Sequence, residues 1–422
     1  MKWMSFSNVS WGIGYFCLKL NFCVLFLIIF SINVMAQTAY ITNVTEGSIS
    51  VIHVANDSVT GLIAVGNNST GISVSPDGKR VYVTTFYANN VKIISTDNNT
   101  LLTSVDVGTG PWGVAVSPDS KKIYVADRSS NTVSVIDTST DTVTATIAVG
   151  SGPCGVVVSP DGSRVYVTNF SGQTVSVINT VSDTVLATIS VGLVPMGIAV
   201  SPDGTKVYVT NEGANTMSVI NTTSNTVSTT ITVGNHPWGV MVSADGSRVY
   251  VANFGSNTVS VINGSSNLVL DLINVGLAPM GVSLTPDGSK LFVANSGTNT
   301  VNVINTTTNI VSDTITVGAG PGAFGNFIST YTLNVGIPES NDEQEIITIF
   351  PNPANTILNI HCQLGIRNYE LGIMDVMGKV VYNTTLNGID NNIDISDMIN
   401  GVYFYQLRSD KHFQNGKIVV EK

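Results

Sequence analysis

The side chains able to do chemistry in this chain are few and thinly spread. Of 422 residues only 11% are charged, and there are four histidines and four cysteines. A hydrolytic or nucleophilic site in the first three quarters of the sequence would have to draw on His53, His236, Cys154, Glu212 and Arg128. Cys154 would need a base beside it, and a general acid–base pair would need two of these brought together from distant positions. No Cys-x-x-Cys-His haem attachment, Gly-x-Ser-x-Gly elbow or phosphate-binding glycine loop occurs. Two histidines are too few for a copper cluster or a His-rich metal centre, so no metal and no cofactor are expected. Better represented are residue types that contact a ligand without transforming it: Trp112, Trp238, Phe86, Phe170, Phe254, Met196 and Met280, with His236 beside Trp238. Acidic residues outnumber basic ones 28 to 18. That balance disfavours nucleic acid and anionic membrane, whose attraction rests on clustered Lys and Arg.

What must position these residues is a repeat. Val149 to Val191 runs through Ser159-Pro160-Asp161-Gly162, Arg164-Val165-Tyr166-Val167-Thr168-Asn169 and Thr174-Val175-Ser176-Val177-Ile178-Asn179, and then begins again. The proline recurs at Pro76, Pro118, Pro160, Pro202 and Pro286, with Ala244 once in its place. A fixed period of 42 residues with alternating β-branched and polar residues means stacked β units, four short strands to each. Seven copies are counted by Tyr40, Tyr82, Tyr124, Tyr166, Tyr208, Tyr250 and Phe292. The first copy lacks its opening strand, and Pro321 to Ile328 is an orphan copy of that strand. The spacing therefore predicts an all-β, closed seven-bladed β-propeller over 37–330, latched by one blade shared between its ends.

In such a ring each blade's connections divide between two faces. One face repeats: Asp77, Asp119, Asp161, Asp203, Asp245 and Asp287 form one circle, with Arg80, Lys122, Arg164, Lys206, Arg248 and Lys290 beside them. Turn chemistry and solvated ion pairs account for both. The other face varies. Its Pro-x-Gly frame carries Trp112, Cys154, Met196, Trp238, Met280 and Gly322, with Thr70 in the copy lacking proline, and the adjoining loops carry Phe86, Arg128, Phe170, Glu212, Phe254 and Ser296. These positions are expected to ring the mouth of the central channel as an apolar, stacking surface. The competing reading packs the x side chains between blades.

The Val-Tyr-Val-Thr-Asn runs at 165–169 and 207–211, each preceded by Pro-Asp-Gly, resemble the YVTN-family propeller repeats of surface-layer and other extracytoplasmic proteins. Propellers of this kind are similar to sugar lactonases as well as to metal redox enzymes. The resemblance therefore implies three readings for this face: a binding or adhesion scaffold for a glycan, peptide or protein ligand, which the residues favour; a lactonase using Glu212, Arg128 and His236; and a surface-layer-like structural role. Enzymatic activity stays open. Asp57-Ser58-Val59, Asp141-Thr142-Val143, Asp183-Thr184-Val185 and Asp313-Thr314-Ile315 resemble the Bacteroidetes O-glycosylation tripeptide, and equally read as plain turns.

Before the repeats, residues 1–36 carry Lys2 and Lys19, no acid, and an apolar run from Phe22 to Ile32. This reads as a secretory signal peptide cut between Ala36 and Gln37, leaving no transmembrane segment in the mature chain. Residues 331–345 read as a polar linker. The remainder, 346–422, reads as a small β-sandwich. Its Phe350-Pro351-Asn352-Pro353, Asp375 to Gly378-Lys379, Gly401 with Tyr403, and terminal run from Lys417 resemble the C-terminal sorting domain of the type IX secretion system. That resemblance implies the secretion machinery as a partner and a place on the cell surface or in the medium.

Overall fold

The computed structural model describes residues 37–329, 347–362, 369–375, 380–386, 388–408 and 413–422. The segments expected to be a signal peptide and a linker, with Gly378 and Lys379, lie outside them.

Seven sheets follow one another at the repeat period. Six have four strands in simple meander order, as in Pro153–Val158, Arg164–Asn169, Thr174–Asn179 and Thr184–Ser190, which together form blade 4. In blades 3 to 7 the innermost strand starts at Pro-x-Gly on the varied face, in blade 2 at Ser69-Thr70-Gly71, and it ends at the Pro-Asp-Gly turn or its Pro118-Asp119-Ser120 and Ala244-Asp245-Gly246 variants. The second and third strands bury almost every side chain, because their two faces pack against the two neighbouring blades. The outer strand is mostly exposed and buries only Ile189.

Blade 1 (Thr38–Asn43, Ser48–His53, Ser58–Ala64) has three strands of its own. Its innermost position is filled from the far end: Ala39 bridges Ile328, Asn43 bridges Pro321, the Tyr40 amide donates to Phe327 O at 2.8 Å, and the Gly322 amide donates to Thr42 O at 2.8 Å. Phe327 and Ile328 are buried with Tyr40, Ile41 and Ile72 in the closing cluster. The shared blade is as the repeat count required.

The repeated letters acquire reasons. In Val-Tyr-Val-Thr the threonine joins blades: Thr168 Oγ1 takes the Gly155 N–H at 2.7 Å and donates to Met196 O of the next blade at 2.8 Å. The glycine of Pro-x-Gly leaves room for the same contact, since a Cβ on Gly155 would stand 2.4 Å from Met196 O and one on Gly197 2.1 Å from Trp238 O; the closing strand has Ala323 there, with φ 45°. The following Asn169 donates to Thr174 and Ser176 hydroxyls at 2.9 Å each, Asn211 and Asn253 repeat the pattern, and Asn295 donates to the Thr300 hydroxyl and to Asn302 Oδ1.

On the monotonous face the basic circle does not pair with the Pro-Asp-Gly aspartates beside it, which corrects the simplest reading of that face. Those carboxylates accept from their own turns, as Asp161 does from Ser159 Oγ at 2.5 Å and the Ser163 amide at 3.0 Å. The cations reach instead to the outer hairpin of the next blade: Arg80 to Asp141 at 2.8 Å, Lys122 to Asp183 at 3.7 Å, and Lys290 to Asp57 at 2.7 Å across the ring closure. Asp57, Asn99, Asp141, Asp183, Asn225, Asn267 and Asn309 occupy the same hairpin position with φ between 51° and 60°. Left-handed backbone favours Asn and Asp, so three of the four glycosylation-like tripeptides have a structural explanation. Asp313 sits elsewhere, inside the outer strand Ile310–Thr316.

The C-terminal part is a sandwich of two antiparallel sheets around Leu358, Ile360, Leu371, Ile373, Ile393, Leu407 and Ile418. Asn352 is pinned to the last strand, donating Nδ2 to Lys417 O at 2.9 Å and accepting the Val419 N–H at 2.8 Å. The motif that opens this unit thus fastens the one that ends it. Tyr403 donates its hydroxyl to Ile399 O at 2.8 Å.

Candidate functional site at the channel mouth

The varied face is built on a constant backbone. Before each innermost strand one residue takes a left-handed conformation: Asn68, Gly110, Gly152, Val194, His236, Ala278 and Gly320, with φ between 47° and 69°. An asparagine side chain caps its N–H in blade after blade, as Asn89 caps Gly110 at 2.9 Å and Asn215 caps His236 at 2.8 Å. Its carbonyl takes the amide of the loop residue beside it: Phe86 on Asn68, Arg128 on Gly110, Phe170 on Gly152, Glu212 on Val194, Phe254 on His236 and Ser296 on Ala278, all at 2.8–3.0 Å. The frame fixes where each side chain starts and leaves its identity free.

Two groups result. In the first, the Arg128 guanidinium carbon lies 4.2 Å from the Phe170 ring centroid and 4.9 Å from that of Trp112. Phe86 meets Trp112 edge-to-face at 5.9 Å and Tyr87 at 5.2 Å. Aromatic faces attract a guanidinium through the ring quadrupole, about 0.5–2 kcal/mol per contact, so the arc is held before any ligand arrives. In the second, Trp238 and Phe254 stack at 5.1 Å, and His236 Nδ1 lies 3.5 Å from Glu212 Oε1. Beside the first group a cavity of about 340 Å³ is lined by Thr70, Phe86, Tyr87, Trp112, Met280 and Ser296 among others. Tyr87, 75% exposed, is a rim residue that the repeat frame does not point to. The adjacent aromatic pair Phe86-Tyr87 in a connecting loop is the signal that could have found it.

The expectation that every x residue faces the mouth is corrected. Cys154, Met196, Met280, Thr70 and Gly322 are buried, while Trp112 and Trp238 are half-buried. The smaller side chains turn down between blades, where Cys154 Sγ and Met196 Sδ are 3.9 Å apart. Met280 still reaches the cavity wall. Burial pushes the Cys154 thiol up to about 12, so no thiolate forms there near neutral pH. In a Cys362→Ser form of residues 37–422, a thiol reagent is expected to label Cys154 only as fast as the protein unfolds; stoichiometric labelling of the native state within minutes would contradict this.

Farther in, the channel is lined by Val114, Val156, Ile198, Val240 and their neighbours around about 230 Å³. Among the described residues no three His, Cys, Asp or Glu side chains converge as metal ligands.

Three family models match parts of the chain. Residues 348–421 match the secretion system C-terminal sorting domain, residues 149–269 the seven-bladed β-propeller lactonase model, and residues 109–136 the NHL repeat. No curated protein matches. Among solved structures, the chain is similar to hydrazine synthase of Kuenenia stuttgartiensis (23% identity, 64% of this chain and 92% of that one, TM-score 0.60). It is also similar to a protein of unknown function from Desulfotomaculum acetoxidans (19%, 69% and 98%, 0.59) and to a candidate 6-phosphogluconolactonase from Bacteroides uniformis (19%, 68% and 98%, 0.59). At such identities the likenesses establish the fold.

Fold and tail define the class: a seven-bladed β-propeller carrying a secretion sorting domain. More particularly, that tail is of the type IX kind, which implies interaction with the type IX machinery and export to the cell surface or extracellular space. Among the described residues no helix is long and apolar enough to cross a membrane.

Proposed function

We propose that the exported propeller is a ligand-binding module whose site is the varied face at the channel mouth. One observation carries this reading: Phe86, Trp112, Arg128 and Phe170 come from three successive blades and meet in a single aromatic–guanidinium arc beside a cavity. Packing alone gives no reason to vary these positions while the backbone under them is held constant. The type IX tail delivers such a face to ligands outside the cell.

The test is thermal shift and tryptophan fluorescence of the full mature chain against a panel of glycans, peptides and lactones. A ligand at a hundred times its dissociation constant stabilises the native state by about 2.7 kcal/mol. Trp112→Ala is expected to weaken that ligand by tenfold or more, the order seen for interface hot spots. A ligand bound equally well by Trp112→Ala and Trp238→Ala would move the site elsewhere.

A second reading, lactone hydrolysis, is favoured by the lactonase match over 149–269 and by the His236–Glu212 pair inside that span. Turnover of a panel lactone that is lost in Glu212→Gln would put it first.

A further inference from the structure

Resting on the binding reading, we infer that the cavity and Arg128 together form a site for a carboxylated sugar ring, of the uronic acid kind.

The anion requirement comes from Arg128. It is half-buried in an acidic protein, and among the described residues no carboxylate lies within ion-pair distance of it. Glu212, the acid of the same rim, is engaged by His236. Elsewhere Arg80, Lys122 and Lys290 each meet an aspartate, and Arg164 and Lys206 donate to the Thr222 and Gly264 carbonyls. Flanking by Trp112 and Phe170 removes water from the guanidinium and limits its rotation. A planar fork prepared in this way matches a carboxylate through paired N–H donors.

The ring requirement comes from the cavity. Its volume, about 340 Å³, is at the small end of ligand clefts, which run roughly 300–1,000 Å³. A compact ring suits it better than an extended segment. Phe86, Tyr87 and Trp112 line it with aromatic surface against which C–H groups can pack. Trp112 Nε1 and Thr70 Oγ1, in residues that line it, and the neighbouring Ser69 Oγ are closed to solvent without a hydrogen-bond partner, as Trp238 Nε1 is at the same repeat position, so a ring oxygen meets them only after a small side-chain shift. Orphaned polar atoms are costly, and a polyhydroxylated ring supplies the oxygens they lack. Aromatic platform, unpaired donors and an adjacent unpaired cation are the complement of a sugar that carries an acid.

Calorimetry on the full mature chain tests this with galacturonate, its methyl ester, and a peptide ending in a free carboxylate or an amide. The acid is expected to bind about tenfold or more tightly than the ester, with affinity falling as salt rises. Arg128→Gln should erase the preference while leaving the weaker ester binding, Arg128→Lys should restore part of it, and Trp112→Ala should weaken both forms. Melting curves identify any variant that has lost its fold. Equal affinity for acid and ester would overturn the inference and leave the binding reading standing. So would failure of both sugars while another panel ligand depends on Trp112. A peptide carboxylate that binds where the sugars do not would replace the sugar class and overturn it too.

Discussion

Deleting residues 321–329 is expected to abolish cooperative folding of the propeller. The segment supplies the innermost strand of blade 1, and its loss strips partners from Tyr40, Thr42 and Val74, whose backbone groups bond Phe327, Gly322 and Asn326 at 2.8–2.9 Å. It also uncovers Tyr40, Ile41 and Ile72, and leaves an unpaired edge in the middle of the ring, where an open ladder invites pairing with other chains. A finer version keeps the strand and removes one anchor. Phe327 has no solvent exposure, and Phe327→Ala should cost about 3–5 kcal/mol. Circular dichroism melts with light scattering read both outcomes. A deletion variant that melts in one transition at the wild-type midpoint would show that the ring needs no latch.

Replacing Asp127 by asparagine should stabilise the protein by about 3 kcal/mol at pH 8 and by nothing near pH 4. Asp127 stands in a column otherwise filled by Asn43, Thr85, Asn169, Asn211, Asn253 and Asn295, and it is fully buried. Burial pushes its carboxyl from 3.8 up to about 6, against the opposing bonds from Ser134 at 2.7 Å and Thr132 at 3.1 Å. The second carboxylate oxygen has no partner. The sign is set by the order of the two values. The folded chain holds the proton more tightly than the unfolded chain, so the charged form is penalised in the fold. The penalty is absent below about pH 4, grows through about 6, and is complete above it. An asparagine amide would donate to the same two hydroxyls, as Asn169 does to Thr174 and Ser176. Urea midpoints at the two pH values decide the matter. An equal shift at both would mean that the gain comes from packing rather than ionisation.

Much of this architecture can be read from spacing alone. Pro76 to Pro286 set the period, Tyr40 to Phe292 count the blades, and the orphan strand after Gly320 fixes how the ring closes. Spacing locates a residue on a strand end but not the direction in which its side chain turns. Cys154 and Met196 therefore occupy the same repeat position as Trp112 and yet lie between blades, because a small or flexible side chain fits the inter-blade gap while an indole does not. Proximity along the chain misassigns the ion pairs for a related reason. Arg80 lies close in sequence to Asp77 and far from Asp141, yet blade packing brings Asp141 to it. The residues of the aromatic arc can be named singly from the sequence, but their contacts need three blades set side by side. Asp127 is visible as a departure from its column; only burial gives it an energetic meaning.

The shared blade also orders events in time. Residues 38–64 are made first, yet their sheet is complete only when 321–329 arrive, so no closed ring exists until nearly the whole array has been synthesised or has passed through a pore. The sorting domain lies C-terminal to the closing strand, so the address is read from the segment that emerges just after closure becomes attainable. Blade-by-blade contacts can accumulate locally along the array, while the last and longest-range contact acts as a completion signal. A chain cut short anywhere before residue 321 would carry neither a finished ring nor the sorting tail, so one truncation removes both together.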